Sequence, residues 1–322
     1  MTAGKKKTIS TAALGILLIA VGVMLYFCLK PGTGSKDRNL IQVEGREIPA
    51  EMQQYIENEN LEWMAGMWVG LQNCVPMADR DDVYENSTEP LRAVVTMQNA
   101  VDKLQTFTLM VLADGLPAEF QVGGQTYESY TLGLTGAIQV ELTLKPQFSL
   151  HMGRLDFLLI YNENPQADFF MTNYTLWIQQ EEPQAQPVTF QETVDQRQGL
   201  KGSYTGGAYG AWIWNRTGIP SEDSNIGPRL LSVEAGGTVY FEAVASAPGT
   251  YRTVLMVGNS AIDFVDWISN GENMLQFPIQ LPKDLRDGDS FYTITTRLEE
   301  EDGMPALINS SKMEIDMLDP TE

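Results

Sequence analysis

From Ile138 to Leu144 the chain reads IQVELTL, and hydrophobic and polar positions alternate without a break. In an extended strand, Ile138, Val140, Leu142 and Leu144 share one face, while Gln139, Glu141 and Thr143 share the other. That is the pattern of a sheet with one packed and one wetted side. Similar short β-favourable segments are predicted at 91–97, 107–113, 127–134, 155–161 and 174–178. Segment 107–113, FTLMVLA, has no polar face and predicts a strand buried on both sides, followed by a turn at Asp114-Gly115; residues 121–124 signal a second turn. The same grammar returns at 230–233, 238–245, 250–257, 262–268, 274–281, 291–298 and 312–318. Residues 48–68 read differently: Pro49 suits a helix start, Met52, Tyr55 and Ile56 share a helical face, and Trp63, Met64, Met67 and Trp68 supply packing.

The two sets of strands follow one order. Segment 107–111 is answered by 251–255, IQVELTLKP by LQFPIQLPK from Leu275, the Gly153 loop and Leu155 by the Gly288 loop and Phe291, and 174–178 by 313–317. Near-constant displacements predict a duplicated unit. Each set holds enough strands for two packed sheets.

A third pattern precedes both. Residues 9–29, ISTAALGILLIAVGVMLYFCL, carry no charge. As a helix they would extend about 31 Å, the thickness of a bilayer core, with the backbone polar groups satisfied internally. Lys5, Lys6 and Lys7 precede the run on a short tail, which predicts a cytoplasmic N-terminus and an exported body. The run is too long, and its end at Tyr26-Phe27 too bulky, for a typical cleaved signal peptide.

The expected fold is therefore mainly β: an N-terminal transmembrane helix followed by two Ig-like or fibronectin-like β-sandwich domains with short helical segments. The expected layout is a cytoplasmic tail at 1–8, a transmembrane helix at 9–29 and a tether at 30–47. A first sandwich with an N-terminal helical segment follows at 48–180, then a linker with a Gly-aromatic insertion at 181–227 and a second sandwich at 228–322. The localisation this predicts is a single-pass cell membrane protein with its C-terminal body extracellular.

The net charge of −21 repels nucleic acid, and no basic stripe offsets it. Cys28 lies in the apolar run and Cys74 is alone in the exterior body, so no disulfide staples that body. This favours a bacterial envelope protein over an animal extracellular module. The acceptors at Asn86, Asn173, Asn215 and Asn309 matter only in a glycosylating host.

Candidate chemistry is sparse. His151 is the single histidine and has no nucleophile motif beside it, so histidine-dependent triads and standard zinc sites are not expected. There is no phosphate loop or dinucleotide fingerprint. Asp114 with Glu119, and Asp263 with Asp266, are the carboxylate pairs weighed for glycan hydrolysis. Oxygen-rich turns at Asp79, Asp81 and Asp82, and at Asp284, Asp287 and Asp289, are weak calcium candidates, though neither has EF-hand spacing. Tyr204, Tyr209, Trp212 and Trp214 stand among glycines and form a candidate recognition surface, since Tyr and Trp suit half-wet interfaces. The expectation is a noncatalytic envelope protein held in the bacterial membrane through 9–29, acting with an envelope protein partner in recognition or assembly. The alternatives are a surface carbohydrate-binding protein and a carboxylate-dependent glycan hydrolase. No cofactor is expected.

Overall fold

The computed structural model describes residues 39–58, 61–77, 80–85, 90–165, 170–180, 210–214, 230–244, 248–270, 274–299, 307–310 and 312–318. The tail at 1–8, the apolar run at 9–29 and residues 30–38 of the tether lie outside them. Among the described residues no helix is long and apolar enough to cross a membrane. All that follows belongs to the unit Ile41–Glu322.

The chain is mainly β, with one α-helix, Ala50–Asn58, among the described residues. Its strands form four sheets in two pairs. The first outer sheet runs in the order Ala65–Leu71, Leu91–Asn99, Ala137–Leu144, Phe120–Val122, Gln125–Tyr127. The first inner sheet runs Ser129–Leu134, Gln105–Ala113, Met152–Tyr161, Met171–Gln179, Arg80–Glu85, Pro76–Met77. The second inner sheet runs Leu230–Val233, Met313–Met317, Ser290–Arg297, Pro248–Val257, Ser260–Asn270. The second outer sheet is Gly210–Trp214, Thr238–Val244, Met274–Gln280.

The two pairs follow one plan. Each inner sheet has one parallel pairing among antiparallel ones, Met171–Gln179 on Arg80–Glu85 and Met313–Met317 on Leu230–Val233. Beside the parallel pairs the order continues Met152–Tyr161 then Gln105–Ala113 in the first inner sheet, and Ser290–Arg297 then Pro248–Val257 in the second. The matched segments 107–111 and 251–255, 138–144 and 275–280, 155–161 and 291–297, and 174–178 and 313–317 occupy equivalent places.

Strand alternation decides what each sheet packs against. In the second pair, Tyr251, Leu255, Trp267 and Phe291 of the inner sheet bury themselves against Phe241 and Ile279 of the outer sheet, the layering of a β-sandwich. In the first pair, Phe107 and Tyr161 of the inner sheet meet Trp63, which stacks on Tyr161 at 5.6 Å just before the first outer strand. The opposite faces of the two inner sheets meet each other. Met110, Leu158 and Ile160 pack on Val254, Met256 and Ile294 in one apolar cluster, the seam.

The turn at Asp114-Gly115 takes positive φ at both residues, 46° and 77°, the geometry that fits the twist of a tight hairpin. Three segments differ from the sequence pattern. The helix ends at Asn58 and Ala65–Leu71 is a strand, because Met67 and Val69 are needed in the core. The acidic run at 79–82 was expected as a loop, yet Arg80–Glu85 is a strand. Arg80 neutralises Asp82 two positions on, while Val83 and Tyr84 are buried beside Met171–Gln179. Gly210–Trp214, inside the stretch assigned to a linker, pairs with Thr238–Val244 and gains its backbone hydrogen bonds there.

Candidate functional site

The hairpin turn after Gln105–Ala113 places Asp114 at the floor of a cleft of about 690 Å³. Pro117, Glu119 and Gln121 form one wall and Thr143, Lys145 and Gln147 another, and Arg252 reaches in from the second inner sheet. Both sheet pairs therefore contribute to it.

The floor is held rigidly. Asp114 is buried, and its carboxylate accepts from Ser149 N at 2.6 Å, Ser149 Oγ at 3.0 Å and Arg154 N at 2.8 Å. Burial pushes its carboxyl above the usual range, and those bonds, with the Arg252 charge, pull the other way. Arg252 grips Asp266 through Nε at 2.6 Å and Nη2 at 3.0 Å. Its Nη1 crosses the seam to donate to the Asp114 carbonyl at 2.7 Å. The reciprocal arrangement lies nearby. Arg154 of the first inner sheet grips Asp156 with two 2.8 Å bonds, and its Nη1 donates across the seam to the Arg297 carbonyl at 2.8 Å. Thr175 Oγ1 also donates to Asp156, at 2.6 Å.

These bonds decide which carboxylates can do chemistry. Asp114 and Glu119 both line the cleft, but both oxygens of Asp114 are occupied by the protein's own donors, which leaves it a structural anchor. Asp266 is committed to Arg252, and Asp263, exposed on the same strand, accepts from Phe264 N. Neither pair presents two unengaged carboxylates. What the cleft offers a ligand is a proline-walled surface with the amides of Gln121 and Gln147, the hydroxyls of Thr126 and Thr143, and opposite charges at Glu119 and Lys145.

The other candidates are dispersed. His151 is exposed at the start of its strand, where its carbonyl accepts from Gln180 N. Among the acidic turns, Asp82 is bound by Arg80, which holds its carboxyl below the usual range; Asp287 accepts from Met317 N and Asp289 from Arg286 N. Asp79 lies outside the described residues. No group of three His, Cys, Asp or Glu side chains suited to a metal occurs among the described residues, Asp81 and Asp284 included. Tyr204 and Tyr209 lie outside the described residues, and Trp212 and Trp214 are described by backbone alone, in register with Glu242 and Tyr240. Cys74 is a free, half-buried thiol whose pKa burial raises, the opposite of an activated nucleophile.

Sequence reasoning missed Arg154, Asp156 and Arg252, and weighed Asp266 only as a carboxylate paired with Asp263. Their signal was available: each charge sits inside a strand whose other residues on that face are apolar, as in MGRLDFLLIY and TYRTVLMV. A charge in such a run must find a partner, because an isolated buried ion is too expensive.

No family model matches the chain, and neither does any curated protein. Among solved structures, it is similar to the native conformation of Escherichia coli alpha-2-macroglobulin at 11% identity, over 81% of this chain and 15% of that one, with a TM-score of 0.22. Red sea bream transglutaminase is similar at 12% identity, over 85% and 34%, with a TM-score of 0.19. A 1.5-MDa bacterial ice-binding adhesin, described for its host cell surface retention, is similar at 10% identity, over 78% and 65%, with a TM-score of 0.20. The chain spans less than two thirds of each of these proteins, and the likeness is distant in every case.

Proposed function

We propose that the chain is a noncatalytic protein of the bacterial envelope, anchored by residues 9–29, whose exterior consists of two Ig-like β-sandwich domains acting in recognition or assembly. The apolar run and the lysines before it support the anchor and its orientation. The repeated strand plan, with one parallel pairing in each inner sheet, supports reading the exterior as tandem domains of one kind. The observation that carries the functional reading is the state of the carboxylates. The Asp114 carboxylate at the cleft's floor is engaged by Ser149 and Arg154 and its carbonyl by Arg252, which supports a site that holds its shape and presents amides and hydroxyls beside the opposite charges of Glu119 and Lys145. The partner on this reading is an envelope protein in the same membrane.

The test is site-specific photo-crosslinking in intact cells at position 126 in the cleft, with position 141 on the first outer sheet as control, followed by detergent purification of the full chain. A discrete membrane-protein adduct at position 126 alone is expected. A full chain that purifies as a partnerless monomer, with no adduct at either position, would overturn the proposal.

A further inference from the structure

The hydrogen bonds that cross the seam fall at its two ends. At one end Arg252 donates to the Asp114 carbonyl and Arg154 to the Arg297 carbonyl, at 2.7 and 2.8 Å. At the other, Asn259 Nδ2 donates to Thr108 Oγ1 at 2.9 Å, and Lys312 Nζ donates to the Tyr161 carbonyl at 3.0 Å. Asp114 follows the last residue of the hairpin strand Gln105–Ala113 and Thr108 lies well inside it, while Arg154 and Tyr161 lie towards opposite ends of the neighbouring strand Met152–Tyr161. Between the two clasps lies the apolar cluster of Met110, Leu158, Ile160, Val254, Met256 and Ile294. Side chains on each inner sheet reach into the other, so neither surface is a passive bed.

This division of labour has a physical reason. Apolar burial is strong but non-directional and would tolerate sliding or rotation of one sheet on the other. Charge-assisted bonds from a planar guanidinium to one carbonyl lone pair do not tolerate it. Two clasps set apart along aligned strands fix translation and rotation together. Arg252 is also a wall of the cleft, so its place there depends on the clasps.

We infer that the seam is a two-ended lock that completes the cleft, so that loosening the far clasp at Thr108 and Asn259 loosens the cleft at Asp114 and Arg252. The cleft is then a conditional site: it exists in the locked arrangement and loses its Arg252 wall in any other. This holds whatever the cleft binds.

Amide hydrogen exchange on the full chain in detergent tests it. The Asn259→Ala variant removes one partly buried bond at the far clasp and touches nothing in the cleft. Exchange is expected to quicken roughly fivefold, the effect of one neutral hydrogen bond, in peptides covering both 112–119 and 250–254. A second variant, Arg154→Met with Asp156→Leu, removes the Arg154 bond of the near clasp while retaining side-chain volume, and is expected to quicken exchange around 308–313 in return. Faster exchange confined to the neighbours of each substitution, or no change in either variant, would overturn the lock.

Discussion

The core between the second inner and outer sheets and the seam between the two inner sheets are both dry interiors, built differently. Among the described residues the former packs Phe241, Leu255, Trp267 and Phe291 together, and the neutral polar groups buried with them satisfy one another, the Trp267 indole N–H donating to Thr253 Oγ1 at 3.1 Å and the Thr253 and Thr295 hydroxyls pairing at 2.8 Å. The seam has an apolar centre too, but Arg154, Asp156, Arg252, Asp266 and Lys312 are buried at its margins. Both interiors join separately laddered sheets, but across the core short connections tie the sheets together, as between Thr238–Val244 and Pro248–Val257, and complementary volume then suffices. The seam joins strands far apart in the chain, and buried polar groups can supply its register. The seam thus exchanges some burial for direction.

If that contrast holds, the largest effects come from breaking charges apart. Asp156→Ala leaves the Arg154 guanidinium fully buried without its carboxylate, and should destabilise the chain by about 3–5 kcal/mol. Replacing both partners with Met and Leu should restore most of that loss. Chemical denaturation of the two variants checks it, and equal losses would mean that the cost comes from losing the pair's own bonds rather than from an orphaned charge.

Phe241→Ala probes the other interior. A fully buried ring is removed from a core with no charged neighbour, for a loss of about 3–4 kcal/mol. Phe241→Leu, which restores part of the apolar volume, should recover much of it, since only volume is at stake there. The difference between the interiors is sharpened by hydrogen exchange, which should rise in the second sheet pair first.

How far the sequence reveals this contrast follows from what a strand pattern can encode. Alternation in IQVELTL marks a sheet with one wet face, and the unbroken FTLMVLA marks a strand covered on both sides. The second covering surface is legible only as a requirement. Nothing local says that Leu112 and Leu158 meet Val254 and Ile294, because those contacts join residues far apart in the chain. The strand at Arg80–Glu85 escaped for the opposite reason: its acidic residues read as solvent-facing, and its pairing with Met171–Gln179 and Pro76–Met77 makes it a strand. Asp114 was singled out with Glu119 as a carboxylate pair, while its role as an anchor for Ser149 and Arg154 depends on a loop closing back upon it.

Lys312 offers a smaller, opposite-signed test of the seam. Its amine is buried against the Phe170 ring and donates to one carbonyl, and burial lowers its pKa from 10.5 to about 8. Between those values the unfolded chain holds the extra proton, so this group's contribution to stability rises with pH from about 8 to 10.5. Below about 8 the full penalty of a buried cation is present. Lys312→Met should therefore stabilise the chain at pH 7 by about 1–2 kcal/mol, the lost carbonyl bond offsetting part of the gain. Melting curves from pH 7 to 10.5 should show the wild type gaining on the variant as pH rises. A constant gap across that range would mean that the amine is not desolvated.

The smallest expected effect addresses how closely the halves meet at the cleft. Gly115 has a φ of 77°, and a Cβ there would stand 3.2 Å from both Arg252 Cδ and Thr296 Cβ of the second inner sheet. Gly115→Ala thus meets two obstacles, a left-handed backbone and a neighbour across the seam, and should cost about 1–2 kcal/mol. Gly124 separates them: its φ is 86° with nothing near the added carbon, so Gly124→Ala carries the backbone strain alone. The loss at position 115 should exceed that at 124, and the Arg154→Met/Asp156→Leu background should reduce the excess by letting the sheets shift apart. Equal losses at the two glycines, unchanged in that background, would mean that the turn does not feel the second sheet, and the seam would then be loose where the cleft needs it closed.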